Sequence, residues 1–528
     1  MRAPARNDLG LFLLLFSIGA GAAVHFQWRA LTRDYVYDED LMQSPHWAAD
    51  HAASFRPDDA IVEYGRFNES PVQNAIFYVG TLWVDVIPLS KLLAVVGYGL
   101  TSSLFFFVGR ALYNTRTGFL MAMFFCFFPD QFKYSSGFFS KFWAVPLLLL
   151  CLYVLQRRHW RALIVLVPFA ALAYPVSAVV IGLTCGVYLL IQLLFLERRL
   201  AWAILPPLAV GSLLAIGALG SKYLSPPDFI GPMTPRDLLL SWLEPEGKYA
   251  PIPPVTHELW ERLGHPFQLA SAAGFLILLR RRCRWEWSWT AMLVASVIGY
   301  VLADLLFARL YIPNRYTRNS LAVLLVLWNA TNWDRMLERI PRPAWRHAAV
   351  GSLFVVAGFS FDALRGGEWA WNDKRFVKLC SFIRQLPDGI LVAGPPRYLD
   401  RVMLQGRRSV LVPFLLDHRW YRRLHEDHRR RTLDVYRAIY AADVGPINEL
   451  HTRYGVTHLV LSWTYFERRL AESEFGSRHD TEIAAAVIGG RTRFLLEHPP
   501  EDWILFDDGT YFMLELPRPD PSERGSRP

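Results

Sequence analysis

Leu9-Gly10-Leu11-Phe12-Leu13-Leu14-Leu15-Phe16-Ser17-Ile18-Gly19-Ala20-Gly21-Ala22-Ala23-Val24-His25-Phe26 is the first long apolar run of this chain, and Tyr37-Asp38-Glu39-Asp40 follows it across a short polar stretch. The run is just long enough to cross a bilayer as a helix. Three adjacent carboxylates beyond such a crossing put dense charge at a membrane edge, where ionisable groups are costly and often functional. Arg2 and Arg6 before the run, with Ala20-Gly21-Ala22 inside it, also resemble a secretion signal. A multispanning body needs no separate signal, so the run is read as an uncleaved first helix.

Further runs of span length lie near 86–109, 117–130, 138–156, 162–174, 175–196, 200–219, 265–280, 287–307, 319–334 and 347–362. The expected fold is therefore a polytopic α-helical membrane protein of about eleven transmembrane helices. With 53% hydrophobic and 14% aromatic residues among 528, the chain is too apolar for an ordinary soluble enzyme. Pro175 divides an otherwise continuous run from Ala162 to Leu196.

The formal net charge of +9 comes from short arginine clusters between the runs, which marks topology and not a nucleic-acid surface. With the N-terminus cytoplasmic, Arg2/Arg6, Arg110/Arg116, Arg157/Arg158/Arg161, Arg198/Arg199, Arg280/Arg281/Arg282/Arg284 and Arg335/Arg339/Arg342/Arg346 all fall on the inner side. An odd number of spans then places the segment from Arg365 onward outside, together with the acidic cluster. The catalytic body is expected over 1–362, with outside loops at 27–72 and 221–264. Asn74 to Trp83 reads as an amphipathic stretch at the interface.

The segment 363–516 reads as an extracytoplasmic α/β domain, and 517–528 as a disordered tail. Strands are predicted at Ile390 to Ala393, Val410 to Val412 and His458 to Ser462, with a long helix near Trp420 to Ala441. Asp507-Asp508-Gly509 between two apolar runs signals a hairpin.

Asp38, Glu39 and Asp40 are the candidate catalytic acids. Asp130, in Phe127-Phe128-Pro129-Asp130-Gln131, ends the third run on the same side. Two or three converging carboxylates could hold a divalent cation such as Mg or Mn, so Asp40 and Asp130 are the candidate metal ligands. Lys133, Lys141, Arg309, Arg315 and Arg318 are exceptions to the positive-inside pattern, and a phosphate would account for cations on the outer face. Scattered histidines without metal-motif spacing, no Walker loop, no dinucleotide fingerprint and no Gly-x-Ser-x-Gly exclude the common soluble chemistries. The five cysteines show neither a disulfide framework nor a zinc pattern.

First-loop acids, an acid after the third span, an arginine motif before a late span and a polar tail together resemble the GT-C superfamily of integral-membrane glycosyltransferases. Asp38-Glu39 resembles the Asp-Glu pair of the protein O-mannosyltransferases and of the aminoarabinose transferases. Ser136-Gly137-Phe138-Phe139-Ser140-Lys141-Phe142-Trp143-Ala144-Val145-Pro146 is similar to the Gly-x-x-Arg/Lys-x-x-x-x-Pro runs of uncharacterised prokaryotic members. The Trp-Trp-Asp-x-Gly signature of oligosaccharyltransferase catalytic subunits is absent. The resemblance implies a polyprenyl-phosphate sugar as donor, an extracytoplasmic glycan, lipid or protein as acceptor, and inversion at the anomeric carbon. It implies Asp38 as base or its orienting partner, with Glu39 and Asp40 as alternatives, and Lys141, Arg315 and Arg318 on the donor phosphate. The superfamily contains metal-dependent and metal-independent members. A transporter or flippase for a lipid-linked or polar substrate is the alternative; it calls for broken helices in two similar halves, of which Tyr174-Pro175 would mark one.

Overall fold

The computed structural model describes residues 6–43, 47, 54–56, 59–126, 136–224, 286–305, 314–342, 344–345, 370–414, 422–467 and 493–517. Helix α1 (Arg6–Phe26) and the short α2 (Trp28–Leu31) lead into strand β1 (Val36–Asp38), then α3 (Ala60–Asn68) and α4 (Pro71–Gly80). Helices α5 (Val86–Leu112), α6 (Thr115–Cys126), α7 (Ala144–Arg157), α8 (Leu163–Ala173), α9 (Pro175–Phe195), α10 (Arg198–Leu224), α11 (Trp287–Leu305) and α12 (Asn314–Glu338) build the bundle. Among the described residues, five segments are long and apolar enough to cross a membrane: Asp8–Phe26, Val86–Leu112, Ser140–Arg157, Pro175–Phe195 and Arg198–Gly220. Trp160–Ala173 and Trp287–Ala303 are shorter apolar helices. The expected spans at 265–280 and 347–362, most of the 221–264 loop and residues 518–528 lie outside the described residues.

Local chemistry sets the helix ends. The Ser70 hydroxyl accepts from Gln73 N at 3.2 Å with Pro71 in the first helical position of α4, and the Asp85 carboxylate accepts from Ile87 N to start α5. Pro175 opens α9 for the same reason, its missing N–H being one the helix start leaves unpaired. Helices α1 and α5 approach through small residues: a Cβ on Gly19 would stand 2.7 Å from the Ser102 Cβ.

Helix α12 contains the apolar stretch Leu321 to Trp328 within the run expected at 319–334, but it is flanked by polar residues, and Asn319, Ser320, Asn329, Thr331, Asn332 and Asp334 are all buried. It packs against α6, α7 and α11, so its buried polar side chains face other helices of the bundle. At one end Asp334 accepts from Arg116, from Asn114 Nδ2 at 2.8 Å and from the Thr117 hydroxyl at 2.8 Å. Arg315 and Arg318 stand at the other end, three residues apart on one face.

The last part of the chain holds β2 (Ala370–Asn372), α13 (Val377–Ile383), β3 (Leu391–Ala393), α14 (Pro396–Gly406), β4 (Ser409–Val410), α15 (Arg422–Ile439), α16 (Gly445–Tyr454), β5 (His458–Ser462), α17 (Thr464–Glu467), β6 (Ile504–Asp507) and β7 (Tyr511–Glu515). Five strands form one sheet in the order β4-β3-β5-β7-β6; β3 is parallel to β4 and β5, and β7 is antiparallel to β5 and β6. The three strands, the long helix and the hairpin expected from sequence are all present.

Strand β2 joins no part of that sheet. It pairs antiparallel with β1 of the first loop, Val36 opposite Asn372, Tyr37 opposite Trp371 and Asp38 opposite Ala370. Phe55, Val62 and Tyr64, also from the first loop, belong to the core that covers the five-stranded sheet. The first loop and the last part of the chain thus share one hydrophobic core.

Candidate active site

Asp38 ends β1, and alternation along a strand turns its side chain away from the face that Tyr37 occupies. The approach to β1 is fixed from the bundle: Lys91, buried in α5, donates from Nζ to the Ala30 and Arg33 carbonyls at 2.7 and 2.9 Å. Below the strand, Tyr37, Leu41, Met42, Trp47, Phe77, Phe138, Phe139, Phe142 and Leu404 form one buried cluster. Trp47 stacks on Phe77 at 3.9 Å and donates from Nε1 to Asn74 Oδ1 at 3.2 Å. The apolar floor removes water from one side of the carboxylates.

Asp38 is held by two donors. The Ser136 hydroxyl donates to Oδ2, and the Asp40 backbone N–H donates to Oδ1 at 3.0 Å. Lys141 donates from Nζ to Asp40 Oδ2 as an ion pair, with both side chains largely buried. Burial lifts the Asp38 carboxyl from its ordinary 3.8 to about 6. The Lys141 charge pulls it back down, the Asp40 charge pushes it up, and the bonds from Ser136 and the Asp40 N–H pull it down. Asp38 is thus a carboxylate that takes and gives a proton near neutrality, while Asp40 is matched by an ammonium. Arg315 lies close enough to act electrostatically on Lys141, which brings the N-terminal end of α12 to the same place.

The turn carrying Ser136 is itself unusual. Gly137 has φ +71° and Phe138 φ +55°, two consecutive left-handed residues. A Cβ on Gly137 would lie 2.2 Å from the Phe139 ring and 2.9 Å from the Asp38 Cβ, so glycine is required there by both conformation and space. Gln73 of α4 donates from Nε2 to the Phe138 carbonyl, and the Phe138 ring packs against Phe142 at 4.5 Å. A left-handed aromatic residue persists when its surroundings over-determine it, and such strain collects at functional sites.

The structure brings together Asp38, Asp40 and Lys141 in direct contact and Arg315 beside them, with Arg318 one turn further along α12. Asp130, Lys133, Arg309 and the Glu39 side chain lie outside what is described. Ser136, Gly137 and Gln73 were given no role from sequence. The Gly137-Phe138-Phe139 step beside Lys141 was the available signal, but its partner Asp38 is 98 residues away in the chain. Among the described residues no group of three His, Cys, Asp or Glu could hold a metal ion. Asp40, one of the two expected ligands, already has its charge matched by Lys141. Asp130, the other expected ligand, lies outside the described residues.

Comparison with protein-family models and with curated proteins finds no match. Solved structures do match. ArnT from Cupriavidus metallidurans bound to undecaprenyl phosphate aligns with a TM-score of 0.57 at 14% identity, over 97% of this chain and 98% of that one. The Archaeoglobus fulgidus oligosaccharyltransferase in the apo form aligns with a TM-score of 0.54 at 12% identity, over 90% and 72%. The same protein in complex with Zn and sulfate aligns at 0.51 and 10% identity, over 89% and 70%. Alignment nearly end to end with one of these proteins and over most of the other, together with the apolar helices, identifies this chain as an integral membrane protein with the GT-C fold that its sequence resembles.

Proposed function

We propose that the protein transfers a single sugar, hexosyl or pentosyl, from a polyprenyl-phosphate donor to an extracytoplasmic acceptor with inversion, and that Asp38 is the general base. The observation that carries this reading is the placing of two neighbouring acids in different surroundings. Asp38 is poised near neutrality by burial, and Asp40 forms an ion pair with Lys141. Two carboxylates whose environments separate their protonation behaviour are the pattern of assigned acid–base roles.

The acceptor hydroxyl gives its proton to Asp38 as its oxygen attacks the anomeric carbon, opposite the phosphate. The bond from that carbon to the phosphate oxygen breaks, its electron pair stays on the oxygen, and polyprenyl phosphate leaves as an anion. Cations must meet that charge. Lys141 has three N–H donors, so one on Asp40 leaves two for a phosphate. Lys141 and Arg315 together offer two cations to the donor phosphate. Arg318 extends the same face. Zn is bound by the archaeal neighbour; in this chain the described residues give no step that passes through a metal.

Membrane placement follows from the arginine pattern, with the N-terminus cytoplasmic and the acids, α12's first turn and the five-stranded sheet outside. The test is release of polyprenyl phosphate by purified protein given polyprenyl-phosphate hexose or pentose. Asp38→Asn is expected to lower turnover by about 10²- to 10⁴-fold, the usual contribution of a positioned base. Full turnover in both Asp38→Asn and Asp40→Asn would leave these acids as solvated charges and end the proposal.

A further inference from the structure

Asp38 sits on a strand of three residues whose ladder partner among the described residues is another strand of three. A two-stranded ribbon that short has little stability of its own. Its register nevertheless decides the site, because a slip by one residue turns every side chain to the other face and would put Tyr37 where Asp38 now meets Ser136. Something beyond the ladder must hold it.

Tyr37, on the opposite face from Asp38, is 1% exposed. Its hydroxyl donates to Asp373 Oδ2 at 2.5 Å and accepts from Gln405 Nε2 at 2.8 Å. Asp373 receives Arg401 Nε on its other oxygen at 3.1 Å, and its backbone N–H donates to the Tyr35 carbonyl at 3.0 Å. Asp373, Arg401 and Gln405 are all buried. A buried ion pair is a poor source of stability, since desolvation offsets most of its attraction; its best-attested use is to fix register. A second clasp lies farther along the loop, where the Arg56 guanidinium donates to the Gly389 and Gly455 carbonyls at 2.9 and 2.7 Å and its backbone N–H to the Ser409 hydroxyl at 2.8 Å.

We propose that Tyr37, Asp373, Arg401 and Gln405 form a register lock through which the C-terminal part of the chain positions the base. Tyr37 is the key, being the one side chain whose face is read by the buried polar cluster, and it is covalently next to Asp38. The inference rests on the glycosyl-transfer reading for its consequence but not for its geometry. None of the four residues touches the reacting atoms; they act through Asp38, and a slack strand would misplace a base that must reach an acceptor proton within a fraction of an ångström.

The test uses full-length protein purified in detergent. Tyr37→Phe keeps the ring and removes the hydroxyl; kcat is expected to fall about tenfold from misplacement of the base, with the KM for polyprenyl-phosphate sugar within about twofold. Asp373→Asn keeps an acceptor for the Tyr37 hydroxyl and should retain kcat within about threefold, whereas Asp373→Leu should match Tyr37→Phe. Amide hydrogen exchange over residues 34–42 supplies a readout independent of chemistry, and Tyr37→Phe should accelerate it. An unchanged kcat and unchanged exchange in Tyr37→Phe, or a loss carried by KM alone, would overturn the lock. If exchange accelerates as expected while even the unaltered protein transfers no sugar, the lock stands and the glycosyl-transfer reading falls.

Discussion

Asp38→Asn should make the protein more stable while it ends turnover, and the size of the gain can be worked out from the site. The fold lifts the Asp38 carboxyl from 3.8 to about 6. At about 1.4 kcal/mol per unit, ionising Asp38 costs the folded state about 3 kcal/mol more than it costs the unfolded chain. Because the folded-state value is the higher one, the stability associated with protonated Asp38 is fully present below pH 3.8 and is lost as pH rises through about 6. Asparagine imitates the protonated carboxyl. Its carbonyl can accept from the Asp40 N–H, and its amide can face the Ser136 hydroxyl, which turns a lone pair toward it. The variant should therefore gain about 3 kcal/mol near pH 7.5, about half of that near pH 5, and almost nothing near pH 4. Thermal unfolding of the purified protein in detergent at the three pH values measures it. A variant less stable than the parent near pH 7.5, or a gap that does not narrow on acidification, would refute the claim that Asp38 is held charged at a cost.

Other consequences follow from the same contacts. Lys141→Gln removes the charge that pulls Asp38 down, so the acid limb of the pH–rate profile, expected near 6, should move up by about one unit. Gly137→Ala places a Cβ into the Phe139 ring and against Asp38 at φ +71°; turnover should fall by more than about tenfold, measured with an unchanged expression level. Tyr64→Ala opens a cavity in the core over the five-stranded sheet although residue 64 lies in the first loop, and should cost about 3 kcal/mol or more, read as faster proteolysis within residues 370–517.

Much of the architecture was legible because lipid imposes a simple rule. Helices α9 and α10 leave much of their surface exposed to an apolar solvent, so their sequences carry long apolar runs that length alone finds. Helix α12 carries an apolar centre inside polar flanks, and its buried asparagines and Asp334 face neighbours that sequence order does not reveal. The candidate acids and Lys141 were legible as charge at an expected membrane boundary. Their pairing was not, because Lys141 meets Asp40 from 101 residues away in the chain. Ser136 and Gln73 are ordinary polar residues in sequence and acquire meaning only when the left-handed Gly137-Phe138 turn aims one at Asp38 and lets the other hold the turn shut.

The electrostatics of the site also suggest an order of events under the glycosyl-transfer reading. Before donor arrives, Lys141 lies on Asp40 and its charge pulls the Asp38 carboxyl down, which makes Asp38 a weaker base. A phosphate held between Lys141 and Arg315 brings negative charge near Asp38 and shares the ammonium, and both changes raise the affinity of Asp38 for a proton. The base is then strongest when the donor is in place and weaker when it is not. An enzyme that must deprotonate an acceptor hydroxyl only when an activated sugar is present gains from that coupling, since a base primed in an empty site would serve no transfer. The same argument explains why Asp40 is present: it holds Lys141 at the site between turnovers, where an uncompensated ammonium over an apolar floor would be expelled to water.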